Sequence, residues 1–154
     1  MGRYVDEILQ PGEQVRYSTT IHGIVYLPGL LCWLAALVCL IATRAAVGGW
    51  TLALLVASAA LALVGGILAF QAWFRRWTTE TDVTSMRVIH KQGFIQRRTF
   101  EMNLDKVESV DVDQSILGRI FGWGDITIRG VGEGVERLRM IRSPLQFRNH
   151  ITAH

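Results

Sequence analysis

Charge is nearly missing from the middle of this 154-residue chain: between His22 and Arg75 the only formally charged residue is Arg44. Helices of a water-soluble core rarely run that far without a charge, so this absence argues against a purely soluble fold. Cysteine is scarce as well. Both cysteines, Cys32 and Cys39, fall inside the uncharged stretch, which leaves the remaining chain with no disulfide framework and no thiol nucleophile. A concentrated basic stripe is also lacking. Residues 75–154 hold 13 Lys/Arg and 10 Asp/Glu, interleaved, and the net charge is only +3; no nucleic-acid partner is expected from such a distribution. The short basic opening of a signal peptide is absent too, since Asp6, Glu7 and Glu13 precede the first apolar run.

What the chain has instead is two long apolar runs. Residues 23–43 are 21 uncharged positions, and at about 1.5 Å per residue they cover a hydrocarbon core of about 30 Å. The second run lies between Arg44 and Arg75, has its apolar heart at residues 50–70 within a span of about 50–73, and places Trp73, Phe74 and Trp77 where an interfacial aromatic belt would sit. The short link predicts a helical hairpin, residues 23–74, that spans a membrane twice. Arg75, Arg76 and Arg16 flank it against a lone Arg44 in the link, which predicts both termini in the cytoplasm. Two small-xxx-small pairs, Gly65 with Ala69 and Ala35 with Cys39, would let the helices approach closely within the hairpin. Pro28 is expected in the first turn of its helix.

Residues 1–22 are a polar lead-in, and residues 75–154 have room for one modest domain. From Trp77 the pattern alternates, with Val, Ile, Thr and aromatics between glycines, and predicts strands over residues 78–82, 86–91, 94–102, 107–113, 125–129 and 136–142. Met86 and Val88 are expected on one face of the second strand, with Arg87 and Lys91 on the other. Gln92 and Gly93 would form a tight hairpin turn with positive φ at the glycine. A short helix over residues 115–121, striped by Ile116, Leu117, Ile120 and Phe121, is expected to plug the sheet. Ser143 and Pro144 would start a final helix that packs Pro144, Phe147 and Ile151. The expected fold is a membrane α-helical hairpin plus a mainly-β domain, a bent antiparallel sheet or partly open barrel closed by a C-terminal helix.

The stretch WTTETDVTSMRVIHKQGFIQRRTFEMNLDKVESVDVDQSILGRIFGWGDITIRG, together with SPLQFRNHI, resembles the domain of bacterial pleckstrin-homology (PH) membrane proteins. The upstream LQPGEQVRYSTTIHG resembles the lead-in of the same family, a short polar strand ahead of two spans. That resemblance implies a PH-like fold on a membrane anchor, with no catalytic residues and no cofactor to carry over.

Candidate sites are few. His150 and His154 have the i, i+4 spacing of a zinc-binding helix, but without a third ligand they read as a solvated tail, and His22 and His90 stand alone. No serine sits in a strained glycine-flanked elbow, and GVGEG lacks the Lys-Ser/Thr and the following helix of a phosphate loop, so no enzyme is expected. Arg87, Lys91, Arg97 and Arg98 flank the turn at Gly93 as basic residues do in headgroup-binding PH domains, and they are the candidate contacts for anionic lipid. The leading expectation is a membrane-anchored module for a protein partner or for self-assembly, with lipid binding as the alternative.

Overall fold

The structure, a computed structural model, describes residues 4–93, 98–132 and 134–153. The chain forms two compact units, Gly23–Phe74 and Met1–His22 with Arg75–His154.

In the first of these a 3-10 turn at Gly23–Tyr26 leads into helix α2, Leu27–Ala42, with Pro28 in the first turn, and α3 runs over Gly49–Thr78. The helical segment Gly23–Ala42, which is the 3-10 turn together with α2, and α3 are each long and apolar enough to cross a membrane. Their outer surface is a coat of exposed leucine, valine, isoleucine and tryptophan, among them Leu30, Leu34, Val38, Leu52, Val56 and Leu63. Small residues hold the helices together. A side chain at Gly65 would collide with the Trp33 ring at 2.5 Å, and one at Gly29 would meet the Gly65 carbonyl at 3.0 Å and Ala69 at 3.2 Å. The Trp33 indole donates to the Ala62 carbonyl at 3.2 Å, and the Ser58 hydroxyl donates to the Ala36 carbonyl at 3.0 Å. Gly65 and Ala69 thus face the neighbouring helix as expected. Ala35 does not: it is exposed, and Gly29 and Ala36 are the buried small residues of α2.

The second unit opens with helix α1, Tyr4–Ile8, and strand β1, Val15–Thr19. Beyond α3 come β2 (Glu80–Thr84), β3 (Arg87–Gln92), β4 (Arg98–Asn103), β5 (Val107–Asp113), helix α4 (Ile116–Phe121), β6 (Trp123–Gly130), β7 (Gly134–Arg142) and helix α5 (Pro144–Thr152). Among the described residues the strands form two antiparallel sheets, in orders β1-β2-β3-β4 and β5-β6-β7, and these sheets are not closed into a barrel. The polar stretch ahead of the hairpin is therefore an edge strand of the first sheet, paired with β2 through Thr19 opposite Thr81 and Ser18 opposite Asp82. The apolar hairpin is an insertion between two neighbouring strands.

One core holds this unit: Val83, Val88, Met102 and Leu104 from one sheet side, Ile126, Ile128, Leu138 and Ile141 from the other, and Phe147 and Ile151 from α5. The expected alternation appears where one strand face is dry. Ile126 and Ile128 are buried while Arg129 is exposed, and Asp111 and Asp113 are exposed on either side of half-buried Val112. Turn glycine Gly93 has φ 86°, and the expected strand over 94–102 is seen from Arg98, residues 94–97 lying outside the described residues.

Three further expectations need correction. The first strand after the hairpin starts at Glu80, because α3 carries on through Arg75 and Arg76, cations that favour a helix C-terminus, and ends where the Thr79 hydroxyl bonds the Arg75 carbonyl at 2.8 Å. Ser143 makes no side-chain cap; it sits at φ 51°, and its carbonyl accepts from the Phe147 N–H. The largest correction concerns α4, which does not plug the sheet. Its inner contact is Gly118, where a Cβ would strike the Trp123 carbonyl at 2.6 Å, and all four large apolar side chains point away from the core.

At Arg87, a candidate lipid contact by sequence, β3 is covered from the N-terminal side. Glu13, with a fully buried side chain, takes two bonds from the Arg87 guanidinium, both 3.0 Å, and one from the Thr84 hydroxyl at 2.6 Å. Arg87 also bonds Glu101 at 2.7 Å and the Ile8 carbonyl at 2.9 Å, so one guanidinium ties α1, the lead-in and β4 to β3. Removing one partner strands a buried charge, and Glu13→Ala is expected to lower the unfolding free energy by about 3 kcal/mol or more. Adding Arg87→Ala to it should cost far less than the two single losses summed, as measured by denaturant unfolding in detergent. In the hairpin, Gly65→Val should cost about 1–3 kcal/mol in the same assay through overpacking against Trp33.

Candidate interaction surface

The β3–β4 hairpin carries the basic residues singled out above, and the register separates them. Lys91 lies opposite Thr99 and Arg98 opposite Gln92, beside the turn, whereas Arg87 lies opposite Asn103 at the far end of the strand. Four residues at about 3.3 Å each put roughly 13 Å between Arg87 and Lys91 along β3. Arg87 is committed to Glu13 and Glu101 and is 13% exposed. Arg98 is exposed and reaches Glu136 only at 4.0 Å. Arg97 lies outside the described residues. The structure therefore keeps Lys91 and Arg98 near the turn but on opposite faces of the hairpin, since Arg98 shares a face with Gln92 and Lys91 with Thr99, and it assigns Arg87 a place in the fold.

Buried polar groups cluster under the same hairpin. His90 is 3% exposed; its Nδ1 is 2.7 Å from the Thr81 hydroxyl, and its Nε2 is 2.8 Å from the Gln92 amide nitrogen. An amide nitrogen only donates, so Nε2 accepts and the ring proton sits on Nδ1, donated to Thr81. Burial, helped by the nearby Arg98 charge, pulls the His90 pKa down to about 4, and the ring is neutral at physiological pH. Glu13 is held below the ordinary carboxylate range. Burial alone would raise it, and the Gln10 N–H, the Thr84 hydroxyl and the Arg87 guanidinium outweigh that.

His150 stacks on Tyr17 at 4.6 Å and bonds the Gln146 carbonyl through Nδ1, so it is a packing residue; His154 lies outside the described residues. Among the described residues no group of three His, Cys, Asp or Glu side chains gathers as a metal site. Glu13 escaped the reading of the sequence, since its partner is 74 residues away and only an isolated acidic residue in a polar stretch marked it.

A basic end is the second feature. Thr20 accepts from the Arg142 N–H at 3.2 Å, and the His22 N–H donates to the Met140 carbonyl at 2.7 Å. Burial lowers the His22 pKa, with the Arg142 and Arg76 charges adding to it. The point where β1 hands the chain on and the point where Arg76 receives it back thus share one end of the β unit, where Arg142 and Arg76 both act on His22, and the pairing of Glu80 with Lys91 brings the tip of the β3–β4 hairpin to that end.

Among the described residues, two antiparallel sheets with a C-terminal helix across the core have the architecture of a PH-like domain. A family model described as a bacterial PH domain matches residues 22–153, and the chain belongs to that family. No curated protein and no solved structure matches the chain.

The His90 pKa lies below its unfolded value near 6.5, so above that pH the ring contributes nothing to the pH dependence. As pH falls from 6.5 to about 4, the unfolded chain takes up a proton that the folded one refuses, and stability drops by up to roughly 3 kcal/mol. His90→Gln should remove that component. Unfolding free energies of both proteins at pH 7.5 and 4.5 check it, and an equal loss in the two would locate the titration elsewhere.

Proposed function

We propose that the chain is a membrane-anchored, non-catalytic interaction module that presents its PH-like β domain at the cytoplasmic face of a bacterial inner membrane to a protein partner or to further copies of itself. The carrying observation is the insertion of two long, apolar, outward-greasy helices between β1 and β2. In water such a surface would drive aggregation, whereas in a bilayer it is solvated. The hairpin is then the anchor and the β unit the exposed part. Arg75 and Arg76 on one side, against Arg44 in the link, favour cytoplasmic termini. Among the described residues β4 and β5 each pair on one side only, leaving edges on which another strand can add.

A second reading has its own observation. Lys91 and Arg98 lie at the end of the domain where the chain enters and leaves the apolar helices, so anionic headgroups would be in reach, with about 1 kcal/mol per cation near the surface.

After alkaline extraction without detergent the full chain is expected in the membrane pellet, and a phosphatase fused at the C-terminus should be inactive while one inserted at Ala46 is active. A chain found in the supernatant would end the anchoring proposal. For the second reading, Lys91→Ala combined with Arg98→Ala should reduce quenching by brominated phosphatidylglycerol around the reconstituted protein. Unchanged quenching would remove these two residues as lipid contacts.

A further inference from the structure

Helix α4 shows what no core helix would tolerate. Ile116, Leu117, Ile120 and Phe121 are between 58% and 80% exposed, four large apolar side chains in a six-residue helix. Scattered exposed apolar residues are ordinary, but a contiguous patch marks a surface that something apolar covers. The helix is firmly built: the Ser115 hydroxyl caps the Gly118 N–H at 3.0 Å, Gly122 closes it at φ 78°, and Gly118 lies against the Trp123 carbonyl.

Its location within the β unit identifies the cover. The Ser143 N–H donates to the Gly122 carbonyl at 2.9 Å, Trp123 pairs with Arg142, the Arg142 N–H donates to Thr20, and Ile21 bridges Ile141. The C-cap of α4 is therefore two hydrogen-bonded steps from Thr20, three residues before the apolar segment begins at Gly23. The patch belongs to the end of the domain from which the hairpin departs. Arg119 lies in α4 and Arg142 pairs with Trp123 just past its C-cap, while Asp113 and Asp125 pair at the same end, Asp125 being already engaged by Arg137 and the Met140 N–H. Apolar residues with interspersed cations fit the boundary between acyl chains and anionic headgroups. A second copy fits less well, because a stable dimer buries about 800 Å² per partner and a six-residue helix offers far less.

We propose that α4 is an interfacial anchor: its apolar face inserts into the headgroup–acyl boundary of the lipid leaflet that the hairpin enters. This rests on the hairpin crossing the membrane. The insertion pins the β domain to the lipid surface at a point distant in sequence from either span, and so restricts which sheet edges remain open to partners.

The test uses the full chain, with Cys32 and Cys39 replaced by alanine, in nanodiscs of phosphatidylethanolamine and phosphatidylglycerol holding one chain each. An environment-sensitive fluorophore is placed in turn at Leu117→Cys, Ile120→Cys, Glu108→Cys on an exposed β5 position, and Leu63→Cys in α3. Lipids with spin labels near the headgroup or near the acyl terminus then report depth. Expected are deep quenching at position 63 and headgroup-side quenching at 117 and 120 at least about twofold above that at 108, for a helix about 5–10 Å into the interface. Deep quenching at 63 with 117 and 120 no more quenched than 108 overturns the α4 proposal and leaves the hairpin standing. A blue-shifted but unquenched signal at 117 and 120 means protein covers the patch and overturns it as well. No quenching at 63 removes the transmembrane hairpin, and this proposal with it.

Discussion

The pairing of β1 with β2 is the contact on which the arrangement depends. It closes the first sheet across the entire Gly23–Phe74 excursion, and the same five-residue strand sets Tyr17 against Phe147 and His150 of α5. Such a closure is feasible because a helical hairpin brings its own ends together. Packed helices lie about 8–10 Å apart and adjacent strands about 4.8 Å, so only a few linking residues are needed to graft one onto the other. The Gly29–Gly65 approach draws the helices close in the half of the hairpin nearest those links. An unstructured loop of the same length would have to pay closure entropy that the packed hairpin has already met.

Holding the sheet from the other side is a polar device. Glu13, Thr84, Arg87 and Glu101 form a chain of charge-assisted bonds that fastens the N-terminal segment over β3. Apolar packing is directionless, whereas a buried carboxylate that must meet a guanidinium admits one register of the lead-in against β2 and β3. With β1 beginning at Val15, two residues beyond Glu13, the ion pair and the β1–β2 ladder specify the same alignment.

Much of this was readable in advance, for reasons that differ by element. The strands around Ile126, Ile128 and Leu138 alternate because one face is dry and the other wet, and alternation survives in a one-dimensional string. The two apolar helices were legible by length alone. Val15–Thr19 was harder to place in the sheet, since VRYST is mostly polar and its partner strand lies beyond the hairpin. The alternation around Arg87 places it on the face opposite Val88, and nothing local announces that a carboxylate 74 residues upstream covers that face. For α4 the sequence carries the apolar stripe but not its direction: helical periodicity says which residues share a face, and not whether that face meets protein, water or lipid.

That last ambiguity is a physical one. A leucine gains about the same from a protein core as from acyl chains, so hydrophobicity cannot distinguish the two solvents. What separates them is geometry and charge around the apolar group. In the β core, Ile126, Ile128 and Leu138 have no exposed surface and no cation among them. Around α4 the apolar residues surround Arg119, and Arg142 pairs with the residue that follows its C-cap. A guanidinium tolerates the headgroup region, where phosphates and water remain, far better than it tolerates a dry interior. The chain thus uses one class of side chain for two environments, and the neighbouring cations mark which is which.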